Sequence, residues 1–201
     1  MKKNKLQKIC ILGMGGHATS CIDLMDSTNK FEIIGIISQK NYKKNNEKFL
    51  NKYQIIGNDE DYKKISDYCK NIVIGISFYK DLSLRNKIFN TLKKAGFNLP
   101  VICSPRAHVS IGAKINEGTQ IFHNVTINKN VIIGKNCIIN SHALIEHDVI
   151  IEENSQVSTG AVINGGCIIK KNSFIGSGSV LRENIVIKKE SFIKLGSIIK
   201  K

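Results

Sequence analysis

From Ala107 to Lys201 the apolar positions return every six residues. Sixteen consecutive units carry an aliphatic at the third place, from Val109 and Ile115 through Ile145, Ile151 and Val157 to Ile193 and Ile199. The first place is Ala, Val, Ile, Thr, Ser or Cys. The last is almost always Gly, Asn, Asp or another small or polar residue. A period of six fits neither a 3.6-residue helix nor a lone strand of period two. It predicts a parallel β-helix, in which two or three residues run as a strand and a turn bends the chain to the next face. Gly and Asn suit that turn because they tolerate positive φ. Three faces make one coil of 18 residues, so residues 18 apart stack roughly 4.8 Å apart. The stretch of 95 residues makes about five coils, and no unit carries an insertion.

The first hundred residues follow a different pattern. Lys8–Leu12 is a short apolar run ending in Gly13-Met14-Gly15-Gly16-His17, and helical spacing follows at Cys21, Ile22, Leu24 and Met25. Phe31–Ser38 and Asn71–Ser77 read as buried strands, and Tyr53–Ile56 as a short strand or turn. Asp59–Cys69 and Leu82–Gly96 read as helices, the second stopped by Gly96, and Asn41–Lys52 as a loop. Strand and helix alternate, which predicts a small parallel α/β domain. The expected division is a Rossmann-like α/β domain over 1–103 and a β-helix over 104–201, with Pro100 and Pro105 at the junction.

Composition narrows the function classes. The net charge is +14, almost all of it from dispersed lysines; the arginines are Arg85, Arg106 and Arg182. The lysines read as a solvated surface. No nucleic-acid motif and no aromatic interleaving accompanies them. The six cysteines include no C-x-x-C pair and no zinc spacing. Cys137 and Cys167 occupy small first places, a packing role. The start has neither a signal peptide's apolar run nor its cleavage site, and no run approaches 18 apolar residues. A reduced, cytoplasmic protein is expected, without a metal, a nucleic-acid partner or a membrane.

Two stretches carry candidate chemistry. The turn at Gly13, Gly15, Gly16 and His17 lets backbone approach a phosphate at a helix N-terminus, although the glycines equally suit a tight strand-to-helix turn. It lacks the full dinucleotide-binding spacing. In the β-helix, His147 falls at a fifth place, on a turn, between Glu146 and Asp148. A His beside carboxylates is the makeup of a general base, because the acid fixes the tautomer and favours the imidazolium. Asp148 is the expected orienting acid, with Glu146 free to aid an incoming amine. Gly165, 18 residues on, stacks over His147, and with Gly166 it removes side chains and exposes backbone N–H groups for a developing oxyanion. His123 is 24 residues before His147, which is no multiple of 18, so it belongs to another edge.

A strand–G-x-G-G-H turn followed by hexapeptides containing I-I-N-x-x-x-x-I-E-H-D resembles the bacterial sugar acetyltransferases: sialic acid O-acetyltransferases and nucleotide-4-amino-sugar N-acetyltransferases. The resemblance implies a left-handed β-helix, a homotrimer, and acetyl-CoA in the groove between neighbouring prisms. It also implies a Rossmann-like domain that holds a nucleotide sugar. His147 matches the base and Asp148 the acid that bonds it. Gly13, Gly15, Gly16 and His17 match the sugar-nucleotide loop, with Ser38, Gln39, Gly75 and Ser77 as further substrate contacts. Gly165, Ser177 and Leu195 match coenzyme A contacts. Ser38-Gln39 replaces the family's acids, Ile76-Ser77 a commoner asparagine pair, and Gln156 a second His; the glycine-proline tail that covers coenzyme A in the family does not follow Lys201. The implied reaction is acetyl transfer to the amine of a UDP- or GDP-linked 4-amino-4,6-dideoxy sugar. The alternatives are sialic acid O-acetylation and a non-catalytic nucleotide-binding scaffold.

Overall fold

The computed structural model describes residues 5–38, 52–77 and 82–200. The chain divides into two compact units: Met1–Ser77 with Lys87–Pro100, and Phe78–Asn86 with Val101–Lys201.

In the first unit, the unbroken apolar run of β1 (Gln7–Leu12) suits a strand buried on both sides. Ile9, Cys10, Ile11 and Leu12 are all buried. The chain continues through α1 (Gly16–Thr28), β2 (Phe31–Ser38), β3 (Ile55–Asn58), α2 (Tyr62–Tyr68) and β4 (Asn71–Ile74), and α3 (Leu82–Lys94) belongs to this unit from Lys87 on. The strands pair parallel in the order β3-β2-β1-β4. After β1 the chain fills one flank and then crosses to the other. The carboxyl ends of β1 and β4 therefore face a topological switch point, the place where open α/β sheets bind ligands. Helix α1 buries Ala18, Cys21, Ile22, Leu24 and Met25.

Two elements are shorter than the sequence pattern predicts. Helix α2 begins at Tyr62 because the residues before it form a side-chain-bonded turn: Asn58 N–H donates to Asp61 Oδ2 (2.9 Å) and Glu60 N–H to Asn58 Oδ1 (2.8 Å). Strand β4 ends at Ile74, and Gly75 then packs so close to α1 that a Cβ would lie 2.8 Å from that of Ala18. The loop expected at Asn41–Lys52 falls, apart from Lys52, outside the described residues.

The second unit is the β-helix that the register predicts. Two-residue strands from Ile102–Cys103 to Ile198–Ile199 form three parallel sheets, one of five strands and two of six. Partners are 18 residues apart, as in Ile133↔Ile151, Ile145↔Ile163 and Val157↔Ile175. Third-place aliphatics fill the interior; Ile127, Ile139, Ile145, Ile163 and Leu181 are fully buried. First places close the core at the corners, with Val131, Cys137, Val149 and Cys167 also inside. Burial pushes the Cys137 thiol up to about 12, and none of the six cysteines is in a disulfide. Every sixth place from Gly112 to Gly196 has positive φ, whether Gly, Asn, His142, Asp148 or Glu190.

Ile145→Ala should empty a site that neighbouring coils hold rigid, costing about 2–5 kcal/mol of stability by the transfer-plus-cavity rule. Denaturant unfolding of the two proteins checks it.

Candidate functional site

Polar chemistry collects at one corner of the β-helix. His147 follows the strand Leu144–Ile145 and precedes Asp148, whose φ of 60° is the left-handed conformation the corner requires. Asp and Asn enter that region more readily than most residues because their short polar side chains bond locally. The acid is thus also the turn residue. His147 Nδ1 lies 2.8 Å from Asp148 Oδ2. An ionised carboxylate only accepts, so Nδ1–H donates and Nε2 keeps its lone pair. Both side chains are more than half exposed, His147 at 66% and Asp148 at 55%. The amide of Asn130, followed by the bond from His147, holds the Asp148 carboxyl below the usual carboxylate range.

Glu146 turns elsewhere. Its Oε2 accepts from Asn128 Nδ2 at 2.8 Å, while Asn130 Nδ2 donates to Asp148 Oδ1 at 2.9 Å. Both asparagines sit one coil below their acids, 18 residues earlier. The stacking rule applied to His147 alone points to Lys129 and misses them; applied to residues 146 and 148 it finds both.

One coil above, Gly165 leaves room for the imidazole. A Cβ at Gly165 would lie 2.7 Å from His147 Cε1 and 2.8 Å from Nε2. Ladder bonds fix the spacing: Asp148 N–H to Lys129 O (3.1 Å), Gly166 N–H to His147 O (3.0 Å) and Asn184 N–H to Gly165 O (2.9 Å). Since Gly166 N–H is engaged there, Gly165 N–H is the donor of the pair to consider for an oxyanion.

The other expected coenzyme contacts lie apart from this corner within one chain. Ser177 follows the strand Phe174–Ile175, and Leu195 follows Phe192–Ile193, in the sheet that also holds Gln156–Val157. They share a second corner, where Leu195 is 80% exposed. His123 belongs to that corner too, with Nδ1 2.7 Å from Ser104 Oγ. His142 lies there as well, 3.3 Å from Asn124 Nδ2. Gln156 is buried and donates to Ser158 Oγ at 3.1 Å. Among the described residues, no group of three or more His, Cys, Asp or Glu is placed to hold a metal.

In the first unit the glycine turn sits at the carboxyl end of β1. Gly13 has φ 112°, and its N–H donates to Ile37 O at 2.9 Å. A Cβ there would lie 2.9 Å from Ile76 Cγ1. Packing and φ thus explain Gly13, as packing explains Gly75. They do not explain Gly15 and Gly16, where an added Cβ would meet nothing within 4 Å. Gly15 caps α1 without a side-chain bond, and the first turn carries no acid. That is an open, uncapped helix N-terminus of 13 residues' length, the geometry that receives anions. His17 lies in the first turn, Ser38 ends β2, Ser77 follows β4, and Gln39 lies outside the described residues.

The family model of the PglD N-terminal domain matches residues 8–92. That of the bacterial transferase hexapeptide (six repeats) matches residues 112–147 and again 148–183. Among solved structures, the chain is similar to a mutant of perosamine N-acetyltransferase from Caulobacter crescentus in complex with CoA and GDP-perosamine. Identity is 21%, the TM-score 0.87, and the match covers 98% of this chain and 90% of that one. The acetyltransferase domain of PglB from Neisseria gonorrhoeae in complex with acetyl coenzyme A is 22% identical, with a TM-score of 0.84 and coverage of 97% and 93%. WeeI from Acinetobacter baumannii is 21% identical, with a TM-score of 0.83 and coverage of 97% and 92%. No curated protein matches the chain.

Gly165→Ala is a local probe of this corner. Gly165 has no positive φ to lose, and the side chain it displaces is exposed. The variant should melt like the parent while the His147 ring leaves its position, as read from its imidazole NMR signals.

Proposed function

We propose that this chain, whose two parts match the family models of the PglD N-terminal domain and of the bacterial transferase hexapeptide, moves an acetyl group from acetyl-CoA to the amine of a nucleotide-linked 4-amino-4,6-dideoxy sugar, UDP- or GDP-linked. The observation that carries this reading is the His147–Asp148 pair beside Gly165. When bound, acetyl-CoA supplies an activated thioester carbonyl. Asp148 fixes the tautomer that leaves Nε2 basic, and Nε2 takes the proton from the attacking amine. Gly165 N–H faces the charge that develops on the carbonyl oxygen. Glu146, whose carboxylate is held by Asn128, is the acid proposed to aid the incoming amine.

The acceptor side rests on the first unit. Gly13, Gly15, Gly16 and His17 offer an open helix N-terminus to the diphosphate, with Ser38, Gly75 and Ser77 at the ends of β2 and β4; Gln39, outside the described residues, stays a contact that the resemblance implies. The Caulobacter protein's complex with CoA and GDP-perosamine, and the Neisseria domain's with acetyl coenzyme A, support both ligand classes. Ser177 and Leu195 lie on another corner than His147, so a single chain cannot bring them to one thioester. A homotrimer with acetyl-CoA between neighbouring prisms resolves this, the base coming from one copy and the second corner from the next. No described helix is long and apolar enough to cross a membrane; the reaction draws on acetyl-CoA, which fits a cytoplasmic enzyme.

Coenzyme A release measured over a panel of UDP-, GDP- and CMP-linked amino sugars tests the acceptor class; no release with any of them would sink the reading. His147→Ala should lower turnover by about 10²–10⁴ with assembly unchanged. Near-normal turnover in that variant would remove His147 from the base's role.

A further inference from the structure

We infer that Asn130, one coil below the base, is a positioning residue that decides which oxygen of Asp148 is left to hold the His147 imidazole. The inference rests on the reading of His147 as base but concerns a residue that reading does not use. Asp148 Oδ1 accepts from Asn130 Nδ2 at 2.9 Å and Oδ2 from His147 Nδ1 at 2.8 Å. With one donor on each oxygen, rotating the carboxylate breaks both bonds at once. A half-exposed acid that would otherwise swing through water is thereby held against one nitrogen.

The geometry below it is fixed as well. Asn130 and Asp148 have φ of 62° and 60°, and Asp148 N–H bonds Lys129 O, so the two turns stack in parallel. Few residues serve at position 130. Gly would accept the backbone but offers no donor; Asn accepts it and carries an amide short enough to reach the next coil. Other sixth-place asparagines use the same geometry on other partners: Asn124 on His142 at another corner, and Asn136 on the buried Asn154. Asn130 meets the carboxylate that bonds the base. The remaining charged groups in this corner's columns are Lys129 beneath His147, Glu146 bonded to Asn128, Arg182 and Glu183 two coils above and 3.9 Å from each other, and Lys200 one coil further. The Asn130 amide is the leading cause of the low proton affinity of Asp148.

The informative variant is Asn130→Gly, which keeps the left-handed turn and deletes only the amide. Asn172→Gly makes the same sixth-place change on the third corner, away from His147 and from Ser177 and Leu195. In Asn130→Gly the turnover number should fall on the order of tenfold, the scale of losing an outer-shell hydrogen-bond partner, with KM unchanged. A less firmly held carboxylate fixes the Nδ1–H tautomer less well, so the share of the imidazole carrying its proton on Nε2 should rise, as read from the ring nitrogen NMR signals of His147 in the unliganded protein. Asn172→Gly should leave both where they are. If Asn130→Gly leaves the His147 tautomer and the turnover number as in the parent, or if Asn172→Gly moves them equally, the inference is overturned. A parent chain that transfers no acetyl group would overturn the functional reading alone, and the tautomer would still decide the role of Asn130.

Discussion

The second unit depends on a backbone constraint: one residue in six must take up the left-handed conformation. Fifteen sixth places in succession, from Gly112 to Gly196, have φ between 55° and 95°. Each bends the chain by one face, and the run without insertion keeps the coils in register. The constraint also filters residue types. Gly meets it freely, Asn, Asp and His with modest strain, and branched residues poorly. Short polar side chains therefore line up in columns at each corner, spaced by 18 residues. Such columns bring amides and carboxylates of successive coils within hydrogen-bond reach, as Asn130–Asp148 and Asn136–Asn154 show.

The His147 corner uses that regularity and departs from it in one respect. Most corners keep bulk at the fifth place, such as Lys129, Lys135 or Lys171. Gly165 leaves the space directly above His147 empty, and the ring occupies it. The imidazole is thus confined from above by backbone and from the side by Asp148, while Nε2 keeps a free lone pair. In the first unit the counterpart is subtraction of the same kind. Gly15 and Gly16 stand where no neighbour requires glycine, at a helix end that no side chain caps. Both places gain access to backbone by omitting side chains.

The period of six made the second unit legible, because an aliphatic that must be buried once per face leaves no other regular solution. The His147–Gly165 contact followed from the same count. Asn128 and Asn130 escaped because they look like turn asparagines, and only their column places them under Glu146 and Asp148. In the first unit the order of strands and helices was readable, but the starts of α2 and the end of β4 were not. The first depends on side-chain bonds at Asn58 and Asp61, the second on a close approach between Gly75 and Ala18. Both are tertiary or turn-level facts that periodicity does not encode. The resemblance to sugar acetyltransferases lies on the same two stretches that the family models match. The count of 18 also separates its contact at Gly165 from those at Ser177 and Leu195, which lie 12 and 30 residues on and so fall on another corner.

That division bears on the strength of the base. His147 and Asp148 are each more than half exposed, and a pair so open to water is weakly held. Water screens the same carboxylate that should stabilise the imidazolium and solvates the lone pair that should meet the amine. Closing the corner against solvent raises both effects, since electrostatic interactions strengthen as the local dielectric falls. Nothing in the coils of one prism can do this, because the column above His147 is the part that has been cleared. On the proposed reading that cover comes from the bound acceptor and acetyl-CoA and from the second corner of a neighbouring copy, where the exposed Leu195 offers apolar surface. The pair would then act at full strength only with both reactants seated, which would protect the thioester from water until the amine is in place.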